Sequence, residues 1–135
     1  NMADTVTSQT IQDDDRNAIL KFTNVSDGTG ESAVKKVDVS ALAKNSLGQT
    51  CTKVSVLRIY WACRGMGVNI EFDATSNVLI TGLPGDSTGD EYYDRFGGIP
   101  NNAGSGVTGD IDITTIGHSS GDTYSIILEL IKKYD

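Results

Sequence analysis

This sequence predicts an all-β fold, an antiparallel β-sandwich for which a jelly roll is one compatible arrangement. Two observations predict it. Apolar residues alternate with polar ones over runs of five to ten residues, the period of a half-buried strand. Those runs are broken by clusters rich in Gly, Asp, Asn and Ser, and the chain of 135 residues holds 15 glycines but only 2 prolines. Short strands separated by such turns at close spacing are the pattern of a sandwich or barrel.

Taken in order, residues 1–15 read as a polar N-terminal arm, and residues 16–135 as a single sandwich domain. The stretch ADTVTSQTIQ is alternating and β-branched with little to bury, so it is expected to add a strand to a neighbour. Asp13, Asp14 and Asp15 form a polar turn. In 18–25, Leu20 and Phe22 share one side, Lys21 and Thr23 the other. SDGTGES separates that strand from another at 33–39. The segment 40–47, SALAKNSL, predicts the one short helix, with Ser40 as N-cap and Gly48 as stop.

The strand 54–63 places Leu57, Ile59 and Trp61 on one face, with Val54, Val56, Arg58 and Tyr60 on the other. Val68, Ile70 and Phe72 alternate with Asn69 and Glu71, and DATSN turns the chain into a hairpin with Val78, Leu79 and Ile80. Residues 82–109 read as one long Gly-rich loop, with a strand only at 91–96. Ile111 and Ile113 mark a further strand. The last segment, TYSIILELIKKY, fits a helix face or a strand face; its Ile content and the tight turn before it favour the strand.

Composition limits the functions. The formal charge of −7 opposes phosphate backbones and anionic membranes, so nucleic acid and membrane are not expected partners. No apolar run approaches the ~20 residues of a helical span. Met2 reads as the initiator, and ADTVTSQT after it lacks the basic and apolar regions of a secretory leader, so synthesis in a cytoplasm is expected. Cys51 and Cys63 are separated by what reads as one straight strand; its span of roughly 40 Å far exceeds disulfide reach, and both are expected to be free, buried thiols.

Candidate sites are few. Gly104, Gly106 and Gly109 spell GxGxxG, but a phosphate site needs a helix after the glycines, and DIDITTI reads as a strand. No cofactor is expected. Asp86, Asp90, Glu91 and Asp94 lack calcium-loop spacing, and one His with two distant Cys makes a poor zinc site, so no metal is expected. His118, the single histidine, sits in a turn beside Ser119 and Ser120 without a nucleophile elbow, which argues against an enzyme. Asn24-Val25-Ser26 is a formal glycosylation sequon without a secretory route.

Partner contact offers more. Tyr92, Tyr93, Arg95 and Phe96 are residue types enriched at interface hot spots, here in the long loop; they serve as an anchor or fold back to cap one end of the sandwich. Arg58 and Tyr60, with Ile127 and Ile131 of the last strand, make a face too apolar for plain solvent and too polar for plain core, covered by a partner or by the long loop.

Several stretches together resemble a group of small structural proteins encoded by tailed bacteriophages: RNAILKFTNVSDGTGES, KVDVSAL, FGGIPNNAGSGVTGDIDITTIGHSSGDTYSIILEL and the closing KKYD, about two-thirds of the chain, with 52–93 less characteristic. The resemblance implies a non-enzymatic virion protein, a capsid decoration or cement protein. The major capsid protein would be its partner, a homo-oligomer its state and the capsid exterior its place. No functional residues carry over with it. A tail- or fibre-associated module that stacks loop aromatics on host glycans is the alternative expectation.

Overall fold

The structure, a computed structural model, describes residues 3–135. Nine strands build it: β1 (Thr5–Asp13), β2 (Asn17–Val25), β3 (Val34–Val37), β4 (Lys53–Arg64), β5 (Gly67–Phe72), β6 (Val78–Leu83), β7 (Thr88–Tyr92), β8 (Ile111–Ile116) and β9 (Thr123–Lys133). They form a five-stranded sheet, β1-β2-β9-β4-β7, packed on a four-stranded sheet, β3-β8-β5-β6, and every pairing is antiparallel. Four pairings are nested: β2 with β9, β3 with β8, β4 with β7 and β5 with β6. A long hairpin folded over two layers in this way is the jelly roll, with β1 added beyond β2.

The core follows from the alternation. Along β2, Ala18, Leu20 and Phe22 point inward; along β9, Tyr124, Ile126, Leu128 and Leu130 do so, each at most 1% exposed in that second row. Val68, Ile70 and Phe72 of β5 and Ile111 and Ile113 of β8 meet them from the other sheet. Burying a side chain of this size stabilises the fold by about 1.5–3 kcal/mol. The last segment is therefore the strand that its Ile content favours, and Cys51 and Cys63 are free and buried. Burial raises both thiol pKa values, which keeps them protonated and unreactive.

Four expectations need correction. The segment 40–47 is not a helix. A single 3-10 turn spans Val39–Ala41, and its cap is Asp38, not Ser40; Asp38 accepts from the Ser40 N–H at 3.1 Å. The Asn45 carboxamide then takes the N–H groups of Leu47 and Gln49, at 3.0 and 2.9 Å, in competition with any helical ladder.

The faces of β4 differ from the expected ones in the first part of the strand, before Leu57. The register shifts between Val56 and Arg58, so Leu57 is a bulge. One extra residue reverses parity. Val54 and Val56 therefore share the buried side with Ile59 and Cys63, while Arg58 and Tyr60 look outward.

The loop expected at 82–109 is interrupted. β6 runs to Leu83, and β7 covers Thr88–Tyr92 rather than 91–96, pairing with β4. Its polar sequence hides it because it is an edge strand. Gly89 is needed where the Trp61 ring lies: a Cβ there would fall 2.2 Å from a ring carbon. Finally, residues 5–13 are no free arm. They pair with β2 of their own chain from Thr5↔Val25 to Asp13↔Ala18.

Candidate partner-binding face and end loops

The antiparallel registers place three of the predicted contact residues side by side. Arg58 of β4 stands opposite Tyr92 of β7 on one flank and Glu129 of β9 on the other; Tyr60 stands between Asp90 and Ile127. Ile19 and Lys21 of β2 continue these two rows beyond Glu129 and Ile127. The outward side of the five-stranded sheet thus carries Tyr92, Arg58, Tyr60, Ile127 and Ile19 in neighbouring positions, with Ile131 one step along β9. Tyr60, Ile19, Ile127 and Ile131 are half-buried, and Tyr92 is 55% exposed.

Arg58 organises this face. Its Nε and Nη2 donate to the two Asp90 oxygens, both at 2.8 Å, and its Nη1 donates to Glu129 Oε2 at 2.7 Å. The guanidinium carbon lies 5.0 Å from the Tyr92 ring centre. Hydrogen bonds to Asp90 and then Glu129 raise the Arg58 pKa, and the guanidinium lowers that of Asp90. The result is a guanidinium fixed between two carboxylates and flanked by Tyr92, Tyr60, Ile127 and Ile19, with little side-chain freedom left to lose.

The other predicted residues go elsewhere. Tyr93 turns inward and packs against the core, and burial raises its phenol pKa. Arg95 and Phe96 lie on a 3-10 turn, Asp94–Phe96, that ends at Gly97 with φ 77°. Phe96 is 66% exposed, its ring centre 6.2 Å from that of Tyr93. The chain then returns along β4, Val56 and Ile99 exchanging main-chain hydrogen bonds at 2.9 and 2.8 Å. Phe96 and this return strand rim a cleft of about 430 Å³, also lined by Lys53, Ser55, Asn101, Lys133 and Asp135. The predicted cluster of four is therefore split. Tyr92 joins Arg58 and Tyr60, Tyr93 caps the body, and Arg95 and Phe96 belong to the end of the sandwich.

The glycine motif precedes β8, a strand, and no helix follows it. Gly106 (φ 71°) and Gly109 (φ 87°) fit close approaches: a Cβ on Gly109 would lie 2.0 Å from the Thr52 carbonyl oxygen. Gly104 has open space around it. The four acidic residues of the loop do not converge. Asp86 accepts from the Gly65 N–H at 2.8 Å, Asp90 serves Arg58, Glu91 pairs across from Ile59, and Asp94 opens the 3-10 turn. Among the described residues no group of three or more His, Cys, Asp or Glu is placed to hold a metal ion.

His118 sits on the β8–β9 loop with Nδ1 3.1 Å from Thr115 Oγ1. A gap beyond about 6 Å from any hydroxyl or carboxylate would have removed it as a base, and this distance does not. Thr115 Oγ1 also accepts from the Glu31 N–H at 2.8 Å, so the pair ties the β8–β9 loop to the β2–β3 loop.

Two buried clusters escaped the sequence reading. Glu31 is 8% exposed; its carboxylate accepts from Tyr124 Oη at 2.6 Å and Asn24 Nδ2 at 2.9 Å and pairs with Lys36 at 2.5 Å. Burial and then Glu31 raise the Tyr124 pKa. Lys132 is 4% exposed, paired with Asp13, and donates to the main-chain carbonyls of Asp14 and Ala43. A signal for it existed: Lys132 falls on the inward parity of 124, 126, 128 and 130.

No family model, curated protein or solved structure matches this chain.

Proposed function

We propose that this is a non-enzymatic virion structural protein, a capsid decoration protein that binds the assembled shell of a tailed bacteriophage. The observation that carries the reading is the outward side of the five-stranded sheet. It holds Tyr92, Tyr60, Ile127 and Ile19, spread over two cross-strand rows that also carry Asp90, Glu129 and Lys21, around an Arg58 already fixed by Asp90 and Glu129. A surface of this kind is suited to rigid protein–protein contact. The sequence resemblance to small phage virion proteins and the net charge of −7, which opposes DNA binding, support the same reading. A decoration protein binds only the closed shell and so stabilises it by mass action, and many copies multiply a modest affinity.

The test is co-sedimentation with empty, expanded capsids of a host phage. Saturable binding that Tyr60→Ala and Tyr92→Ala weaken is expected. Absence of the chain from particles, or binding indifferent to both changes, would sink the proposal.

One observation favours a second reading, a tail- or fibre-associated module for host glycans. The exposed Phe96 ring borders a cleft with Ser55, Asn101, Lys133 and Asp135, polar groups next to a stacking surface. A glycan array separates the two: sugar binding lost in Phe96→Ala supports the module, and a blank array supports decoration.

A further inference from the structure

The four sheet edges of this protein are not alike. β3 has four residues, carries Lys35 and Lys36, and shifts register between Lys35 and Val37. β7 has five residues, with Asp90 and Glu91 among them. β6 has six and shifts register opposite Ile70 and Glu71. Shortness, charge and bulges are the devices that blunt an edge against pairing. β1 has nine residues, and from Thr5 to Gln12 none is charged and none is proline. Its one irregularity comes late, between Thr10 and Gln12, which leaves Thr5–Thr10 as regular strand.

β1 is also poorly explained by its own fold. Every residue from Thr5 to Gln12 is exposed, and Val6 and Ile11 remain 47% and 50% exposed. The strand overhangs a groove floored by Leu20, Phe22, Val37 and Leu42. Within the chain, Thr5–Gln12 gains its hydrogen-bond ladder to β2 and the Thr7–Thr23 hydroxyl contact, and only Asp13 at the strand's end is tied further, to Lys132 and the Ala43 N–H. Its other ladder edge is open, because β1 ends the sheet order.

Charge selects the occupant. Each copy carries −7, so two copies repel over most of their surface. An uncharged strand is where two such copies approach at least Coulombic cost. A strand from a basic partner would gain little from Thr5–Gln12, which holds no carboxylate, the nearest being Asp4 and Asp13 at its two ends. We propose that β1 of one copy pairs antiparallel with β1 of a second copy across Thr5–Thr10. The two five-stranded sheets then join into one, with their Arg58–Tyr60 faces side by side. Such pairing is isologous and closes on itself, so it yields a dimer rather than a filament. It stands apart from what the outward face binds.

The test joins sedimentation equilibrium to hydrogen exchange on the purified chain. Over about 10 µM to about 1 mM, a reversible monomer–dimer equilibrium is expected, and Val6→Lys with Thr10→Lys should raise its dissociation constant by about tenfold or more. Both positions are exposed, so the fold should survive; a circular dichroism melt checks this. The wild type carries a second readout that needs no variant. Amides of Thr5–Thr10 that point away from β2 should slow in exchange as concentration rises. A monomer throughout, or a dimer whose outward β1 amides exchange at one rate at all concentrations, overturns the proposal. The latter result would instead mark a swapped strand or another interface.

Discussion

Arg58 and Tyr92 face each other across the β4–β7 pairing, with the guanidinium carbon 5.0 Å from the centre of the phenol ring. Asp90 and Glu129 take three of the five guanidinium N–H donors, one from each nitrogen, and the flat face meets the ring. Removing it strands two carboxylates, one on an edge strand. Because Arg58 is partly open to water, Arg58→Ala should cost only about 1 kcal/mol in denaturant unfolding. Arg58→Lys should recover part of that but not the two-pronged hold on Asp90. If Arg58→Ala leaves the unfolding midpoint unchanged, the ion-pair centre is not structural.

The glycine motif makes a sharper stability prediction. Gly109 has φ 87° and sits where a Cβ would meet the Thr52 carbonyl oxygen at 2.0 Å. Main chain cannot swing aside as a side chain can. Gly109→Ala should cost about 2 kcal/mol or more, whereas Gly104→Ala, in open space, should stay within about 0.5 kcal/mol. Thermal or urea melts of the two variants check it; equal effects would refute the assignment of these glycines to backbone geometry.

These two cases also show what the sequence could and could not say. Period-two alternation exposed β2, β5 and β8 because each has one buried face, while β9, whose pattern also fits a helix, was marked by its Ile content and the turn before it. Alternation marked β1 as a strand but not its pairing with β2 of the same chain, and it missed β7, whose exposed edge residues carry no apolar row. It misassigned Val54 and Val56 because a bulge at Leu57 carries no composition signal, yet reverses every face before it relative to those after. Arg58, Tyr60 and Tyr92 stand out in the sequence by residue type, and the structure brings them to one face. That Tyr92 joins Arg58 while Phe96 does not depends on pairing between strands far apart in sequence. Glu31, in a turn cluster of Ser, Asp and Gly, had no local sign of burial.

The Glu31 cluster predicts a cost larger than its surface position in the sequence suggests. Tyr124 Oη donates to Glu31 at 2.6 Å inside the sandwich, and Tyr124 is 1% exposed. Tyr124→Phe removes one donor from a buried carboxylate and should lower stability by about 1.5–3 kcal/mol. Glu31→Ala should cost about 3–5 kcal/mol, since it leaves the Lys36 ammonium unpaired. The double variant should cost less than the sum, as members of one network do not act independently. Strict additivity in urea unfolding would show that the two groups do not interact.

The last prediction concerns pH. Asp112, on β8, is 2% exposed; its Oδ2 accepts from Asn77 Nδ2 at 3.0 Å, and its buried Oδ1 meets no donor among the described residues. Around it stand Asp73, Glu71, Asp110 and Lys35, with Asp73 held by the Thr108 hydroxyl at 2.6 Å and Asp110 by Lys35 at 2.8 Å. Desolvation, then the Asp73 carboxyl within hydrogen-bond reach, pushes the Asp112 pKa up to about 6, while Thr108 holds that of Asp73 low. The folded state therefore keeps a proton that the unfolded chain releases near pH 3.8, the ordinary value for Asp. Where the native state binds more protons, stability falls as pH rises. The contribution of Asp112 is complete below its unfolded pKa and is lost as pH climbs through the folded one. The Asp73 contribution has the opposite sign and acts below the ordinary Asp value. Asp112→Asn stays neutral throughout, so its stability relative to wild type should rise by about 2–3 kcal/mol between about pH 4 and pH 7. Urea unfolding of both proteins across that range measures it, and parallel curves would mean that Asp112 ionises in the folded protein as it does in water.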